Sequence, residues 1–168
     1  QHVGEGRGRG FVKPSVTLAL AKRLAALGAK PFLTGSSTLY KGRRSNARDH
    51  MLQAYDHGFT PEGIGCPIIM CDGLRGSDRV EVEVPRAKHC PVAYLGSATA
   101  LMDGLLVVTH PTGHIAAGFG SAIKNVAMGL SDRGGKMAMH HGGHPEFLPD
   151  RCTGCGRCAE WCPEDAIV

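Results

Sequence analysis

Four cysteines near the end of the chain, Cys152, Cys155, Cys158 and Cys162, stand in the order C-x-x-C-x-x-C-x-x-x-C, with Pro163 directly after the last. No other stretch restricts the fold so tightly. Gaps of two residues let one tight turn deliver three thiolates to a single centre, which is what a soft metal site requires. A zinc site usually takes its cysteines as two separated pairs or together with histidine, and a disulfide framework belongs to small secreted chains. Iron and sulfide suit this spacing better. Gly154 and Gly156 fit the same reading, because backbone must pass close to the sulfides and donate N–H groups to them.

The run resembles the ligand run of a bacterial ferredoxin, where a proline follows the fourth cysteine. The expected cofactor is a 4Fe-4S cluster. In two-cluster ferredoxins the first three cysteines hold one cluster and the fourth holds the other, so Cys162 is expected to serve a second cluster in the intact protein. The chain stops six residues after Cys162 and opens at Gln1 in a Gly-rich stretch without an initiator Met. The expectation is a piece of a longer protein, lacking an N-terminal strand and the second half of the ferredoxin segment.

With 168 residues and 42% hydrophobic content, the chain can bury one main core beside a small cysteine-rich appendage. This divides it into an α/β domain over residues 1–145 and a ferredoxin-like segment over residues 146–168. No apolar run approaches the length of a membrane span. Seven cysteines, four of them in a thiolate motif, point to a reducing compartment and hence to the cytoplasm. The net charge of +4 is modest, but Lys41, Arg43, Arg44 and Arg48 lie together around one loop. Few aromatics interleave with them, so an anionic small molecule is the expected partner and nucleic acid is not.

Along the chain, the Gly-rich stretch Gln1–Val12 reads as a loop, in which His2 and Glu5 serve either as ligands or acid/base groups or as ordinary surface residues. Pro14 at a first helical position and Gly28 just past the end punctuate a helix of about four turns. The segment from Ala29 to Gly35 reads as a strand that delivers Ser36, Ser37, Thr38, Tyr40, Arg44 and Asn46 into a polar loop at its C-terminal end. There they either face a ligand, or Ser45 or Asn46 merely caps a helix from Ala47 to His57 that ends at Gly58. Ile64–Met70 reads as a buried strand. Val80, Val82 and Val84 alternate with Glu81 and Glu83 as in a strand with one wet face. A short helix from Ser97 to Met102 leads into GLLVVTH, read as another buried strand. Cys66, Cys71 and Cys90 lack ligand spacing and read as buried thiols. The fold class that follows is α/β, a largely parallel sheet sandwiched by helices, with an antiparallel excursion near residues 78–95 and the small cysteine segment at the end.

From His110 to Gly129 the chain reads HPTGHIAAGFGSAIKNVAMG. A Gly-containing loop with Gly118 and Gly120 before a helix exposes N–H donors to an anion, and Lys124 near the helix start adds a full charge, with Asn125 beside it. His110 and His114 stand in the loop before. His140, His141 and His144 follow in a Gly-rich stretch that either reaches back to the same site, where such a cluster can bind a transition metal, or links to the cysteine segment.

Taken together, YKGRRSNA, CDGLRG, HPTGHIAAGFGSAIKNVAMG and the cysteine run resemble the uncharacterised iron–sulfur centre proteins of bacteria and archaea, in which a domain of unknown function carries a ferredoxin segment. The resemblance implies the fold and the cluster. A more distant similarity concerns His114, Lys124 and His140, whose spacing H-x9-K-x15-H resembles that of lactate racemases. That resemblance implies a cofactor anchored on Lys124, nickel on His140 and an acid/base role for His114. Three functions remain open: a redox protein passing electrons between a cluster, a redox partner protein and an anionic ligand near His114 and Lys124; a cluster-binding or assembly module without turnover; and a nickel-cofactor isomerase.

Overall fold

The computed structural model describes residues 1–115, 117–140, 147–160 and 167. Helix α1 (Pro14–Ala26) starts at its proline and ends before Gly28, whose φ of 87° turns the chain out of the helix. Strand β1 (Leu33–Gly35) follows, then α2 (Ala47–Asp56) and the single turn α3 (Pro61–Ile64), which Thr60 caps by accepting the Gly63 N–H at 3.0 Å. Strand β2 (Ile68–Met70) runs parallel to β1, with Leu33 opposite Ile68 and Gly35 opposite Met70.

The chain then forms an antiparallel hairpin, β3 (Arg79–Glu83) with β4 (Val92–Gly96), and a 3-10 turn over Ser97–Leu101. A smaller antiparallel pair, β5 (Thr112–His114) with β6 (Gly118–Gly120), precedes α4 (Ala122–Leu130) and α5 (Arg133–His140). The cysteine segment contributes a 3-10 turn over Pro149–Arg151 and the single turn α6 (Arg157–Glu160).

The architecture among the described residues is therefore mixed α/β, with six helices and three two-stranded sheets, of which only β1–β2 is parallel. The excursion near residues 78–95 is antiparallel as expected, but the largely parallel sheet is not formed. One cause lies in GLLVVTH, which pairs with no strand among the described residues: Leu105 and Leu106 are 50% and 54% exposed, and the Val108 carbonyl accepts from the Asn125 side chain at 3.1 Å instead of from a neighbouring strand. An apolar run reports a tendency to be buried and leaves the choice of partner open. The alternating valines of β3 likewise lack a dry face, since Val82 is 44% exposed and β3 pairs only with β4. His140, read as part of a Gly-rich stretch with His141 and His144, is instead the last residue of helix α5.

The hydrophobic core lies in the first half of the chain, where Val3, Phe11, Ala21, Leu33, Ala54, Phe59, Ile64 and Cys66 form one cluster. Burial beyond it is largely polar, with Asp72, Ser131, Asp132 and Lys136 all buried. Two glycines allow this close packing. A Cβ on Gly96 would stand 2.6 Å from the Cys71 carbonyl oxygen, and one on Gly135 would stand 2.4 Å from that of Tyr94. Hydrogen in place of a side chain lets β4 approach the end of β2, and lets α5 approach β4.

Candidate functional site

A cavity of about 1250 Å³ follows β1 past its C-terminal end, the side on which open α/β units bind ligands. Its lining includes Tyr40, Arg44, His114, Gly120, Lys124 and Asn125, six of the residues singled out in the sequence, and also His140. Ser36 and Thr38 line it too, whereas Ser37 turns to Asp72, whose Oδ2 accepts the Ser37 backbone N–H at 2.6 Å.

Asn46 and Gly118 do not belong to this lining. Asn46 caps α2, its Oδ1 accepting the Asp49 N–H at 3.0 Å. Asn46→Ala should therefore cost about 1 kcal/mol of stability through the lost cap, read as a lower urea midpoint, and leave ligand binding in the cavity unchanged. Gly118 and Gly120 lie in β6 and so do not form a phosphate-cradling loop, and the α4 N-cap Ser121 makes no side-chain capping bond. Asn125 is engaged with backbone, donating to the Val108 carbonyl and to Thr109 Oγ1 at 2.9 Å. The His114 Nδ1 accepts the Ala117 N–H at 3.0 Å within its hairpin, and Lys124 is exposed.

The buried basic groups of the cavity are different ones. Lys136 on α5 is 5% exposed, and its Nζ donates to Ser36 Oγ at 2.7 Å and to the Ser131 carbonyl. Burial lowers its pKa, against the opposing pull of Asp72, Cys71 and Asp132. Arg44 is 7% exposed and donates to Glu5 and to the Tyr40 hydroxyl, while burial raises the Tyr40 pKa. His50 on α2 is 6% exposed, its Nδ1 has no hydrogen-bond partner among the described residues, and its pKa is lowered to about 3 by burial first and then by Arg44, His2 and Lys136.

Behind them, Asp72 is fully buried and its Oδ1 has no hydrogen-bond partner among the described residues; burial raises its pKa. Cys71 is buried, and burial followed by the Asp72 charge pushes its thiol up to about 11, so it is a packing residue and not a thiolate nucleophile at neutral pH. Cys66 is buried as expected, and Cys90 only half-buried.

Sequence reasoning missed His50, Asp72 and Lys136. Asp72 follows the C-terminal end of β2 as Ser36 follows that of β1, and this shared position was the available signal for it. Lys136 had none, because its partner Ser36 is 100 residues away.

In the last segment Cys152, Cys155 and Cys158 are exposed. Gly154 and Gly156 adopt φ of 66° and 71°, and the Gly154 N–H donates to Cys152 Sγ at 3.4 Å. A hydrogen bond from the Arg157 backbone, then one from the Thr153 side chain, lowers the Cys155 pKa. Thiols presented on left-handed glycine turns with N–H groups directed at sulfur are a donor set that fits an iron–sulfur cluster. Among the described residues no three His, Cys, Asp or Glu side chains already converge on one metal position. Cys162, Pro163, His141 and His144, and the boundary between residues 145 and 146, lie outside the described residues.

No described helix is long and apolar enough to cross a membrane. Comparison with curated proteins gives no match, and comparison with solved structures gives none. A family model does match, over residues 2–158, a span that takes in both the cavity and the first three cysteines of the run, and the chain thus belongs to the family described as Domain of unknown function (DUF362).

Proposed function

We propose that this chain is an iron–sulfur redox protein, in which Cys152, Cys155 and Cys158 give three thiolates to a 4Fe-4S cluster that exchanges electrons with a partner protein and with an anionic ligand or cofactor in the cavity, while Cys162 gives its thiolate to a second cluster. The observation that carries this reading is the thiol run itself, set on two left-handed glycines with a backbone N–H directed at Cys152 Sγ. When bound, the cluster supplies one-electron transfer. The chain's own contribution is to present the thiols, and to tune the potential through N–H groups and solvent exposure.

The test is metal and sulfide analysis of protein purified without oxygen, with EPR on the reduced sample. Iron and acid-labile sulfide in equal amounts, with a reducible signal that Cys155→Ser largely removes, is the expected result. Zinc without sulfide would overturn the cluster. A cluster that passes readily to an apo-acceptor and supports no ligand turnover would favour the assembly module. Nickel beside the iron would favour an isomerase similar to lactate racemases, a reading to which the shared cavity position of His114, Lys124 and His140 is relevant.

A further inference from the structure

Three basic side chains, Arg44, His50 and Lys136, each more than nine-tenths buried, line one cavity. Buried cations ordinarily sit against a carboxylate, since a charge taken out of water without a partner is strongly destabilising. Arg44 has Glu5 for this purpose. Lys136 donates instead to two uncharged oxygens, Ser36 Oγ and the Ser131 carbonyl, and the acids that act on it, Asp72 and Asp132, bond to the backbone N–H groups of Ser37 and Gly135. The His50 Nδ1 has no hydrogen-bond partner among the described residues. The lining also holds an apolar set, Leu20, Leu24, Leu106, Val126, Met128 and Leu130, beside polar groups such as Lys124 and His114. Arg44 and Lys136 both act on the neutral His50 ring, so the three groups face one region of the cavity, where the apolar part of the wall strengthens the field of the two cations.

We propose that the end of the cavity bounded by Arg44, His50 and Lys136 is the head-group subsite for a carboxylate or phosphate carried on an apolar body. This deepens the anionic-ligand part of the proposed function and rests on it, but it moves the charge recognition from exposed Lys124 to the buried set. The oxyanion gives Lys136 a directly bonded anionic partner in addition to the longer-range pull of Asp72 and Asp132, and the apolar part of the lining takes the rest of the ligand. Ser36 and Thr38, at the end of β1, add hydroxyl groups to the same wall.

His50 provides a readout that a purely structural role would not move. An anion placed among these groups offsets the two cations, Arg44 and Lys136, that help to keep the imidazole neutral, and so raises its pKa. The experiment is an NMR pH titration of the His50 ring in the full chain, without probe and with inorganic phosphate, benzoate or chloride. The expected result is saturable binding of phosphate or benzoate, with a Kd on the order of 1 mM for such small probes, and a raised His50 pKa in the complex. Preference for benzoate would identify a carboxylate ligand with an apolar body, and preference for phosphate a phosphoryl head group.

Lys136→Met should keep the circular dichroism of the parent and weaken the preferred probe about tenfold or more. The His50 titration of the unaltered chain decides the matter even if that variant fails to fold. Absence of saturation, an unmoved His50, or an equal effect of chloride would overturn the subsite. Repeating the titration with and without the metal centre separates this result from the cluster, whose iron and sulfide content is measured independently.

Discussion

Phe59→Ala is expected to cost about 3–5 kcal/mol, the range for truncating a fully buried aromatic side chain. Phe59 is 0% exposed, its ring lies 5.7 Å from that of Phe11 at 55°, and its backbone N–H donates to the Ala54 carbonyl at the end of α2. Phe11 in turn stacks on His57 at 4.8 Å, and the His57 Nδ1 is 2.7 Å from the Val3 carbonyl. The aromatic ring therefore ties the N-terminal stretch, α2 and the entry to α3 into one cluster. A domain whose total stability is about 5–15 kcal/mol has little margin for such a loss. The check is urea unfolding followed by circular dichroism, with Val82→Ala as the exposed comparison, expected within about 0.5 kcal/mol of the parent. A Phe59→Ala variant that unfolds at nearly the parental urea concentration would mean that the stabilising core lies elsewhere.

Local chemistry made much of the first half of the fold legible. Pro14 and Gly28 bracket α1, while Asn46 and Gly58 bracket α2 and its C-terminal turn, because caps and left-handed exits depend on residues within a few positions of each other. The pairing of strands is less local. Leu105 to Val108 looked like a buried strand by composition, yet no edge accepts it in the structure and a side chain from α4 satisfies Val108 instead. The same limit separates the polar loop after β1, whose ligand-facing role could be anticipated, from the groups that make its inner end basic. Lys136 reaches Ser36 from 100 positions away, and Ser36 itself donates to the Met128 carbonyl 92 positions away. No spacing rule encodes contacts of that range. The cysteine run stands at the other extreme, since its meaning lies in intervals of two and three residues.

That inner end of the cavity also determines how the protein should respond to acid. His50 has an ordinary pKa of 6.5 when unfolded and about 3 when folded, depressed first by burial and then by the charges of Arg44, His2 and Lys136. Above pH 6.5 both states are neutral and His50 contributes no pH dependence. As the pH falls below 6.5 the unfolded state takes up a proton that the folded state refuses, so stability declines with falling pH until the folded pKa near 3 is passed and the loss levels off. The slope is about 1.4 kcal/mol per pH unit, so a loss of about 2 kcal/mol is expected by pH 5 from this group alone. Asp72 acts in the opposite sense in the lower part of this window, because burial raises its pKa above 3.8 and the folded state then holds a proton that the unfolded state releases. The difference between the parent and His50→Gln isolates the imidazole from that opposing carboxyl. Urea unfolding at pH 7 and pH 5 should show the parent losing about 2 kcal/mol more than the variant over this interval. Equal losses in the two proteins would show that His50 already carries its proton when folded, and would remove the buried neutral imidazole from the description of the cavity.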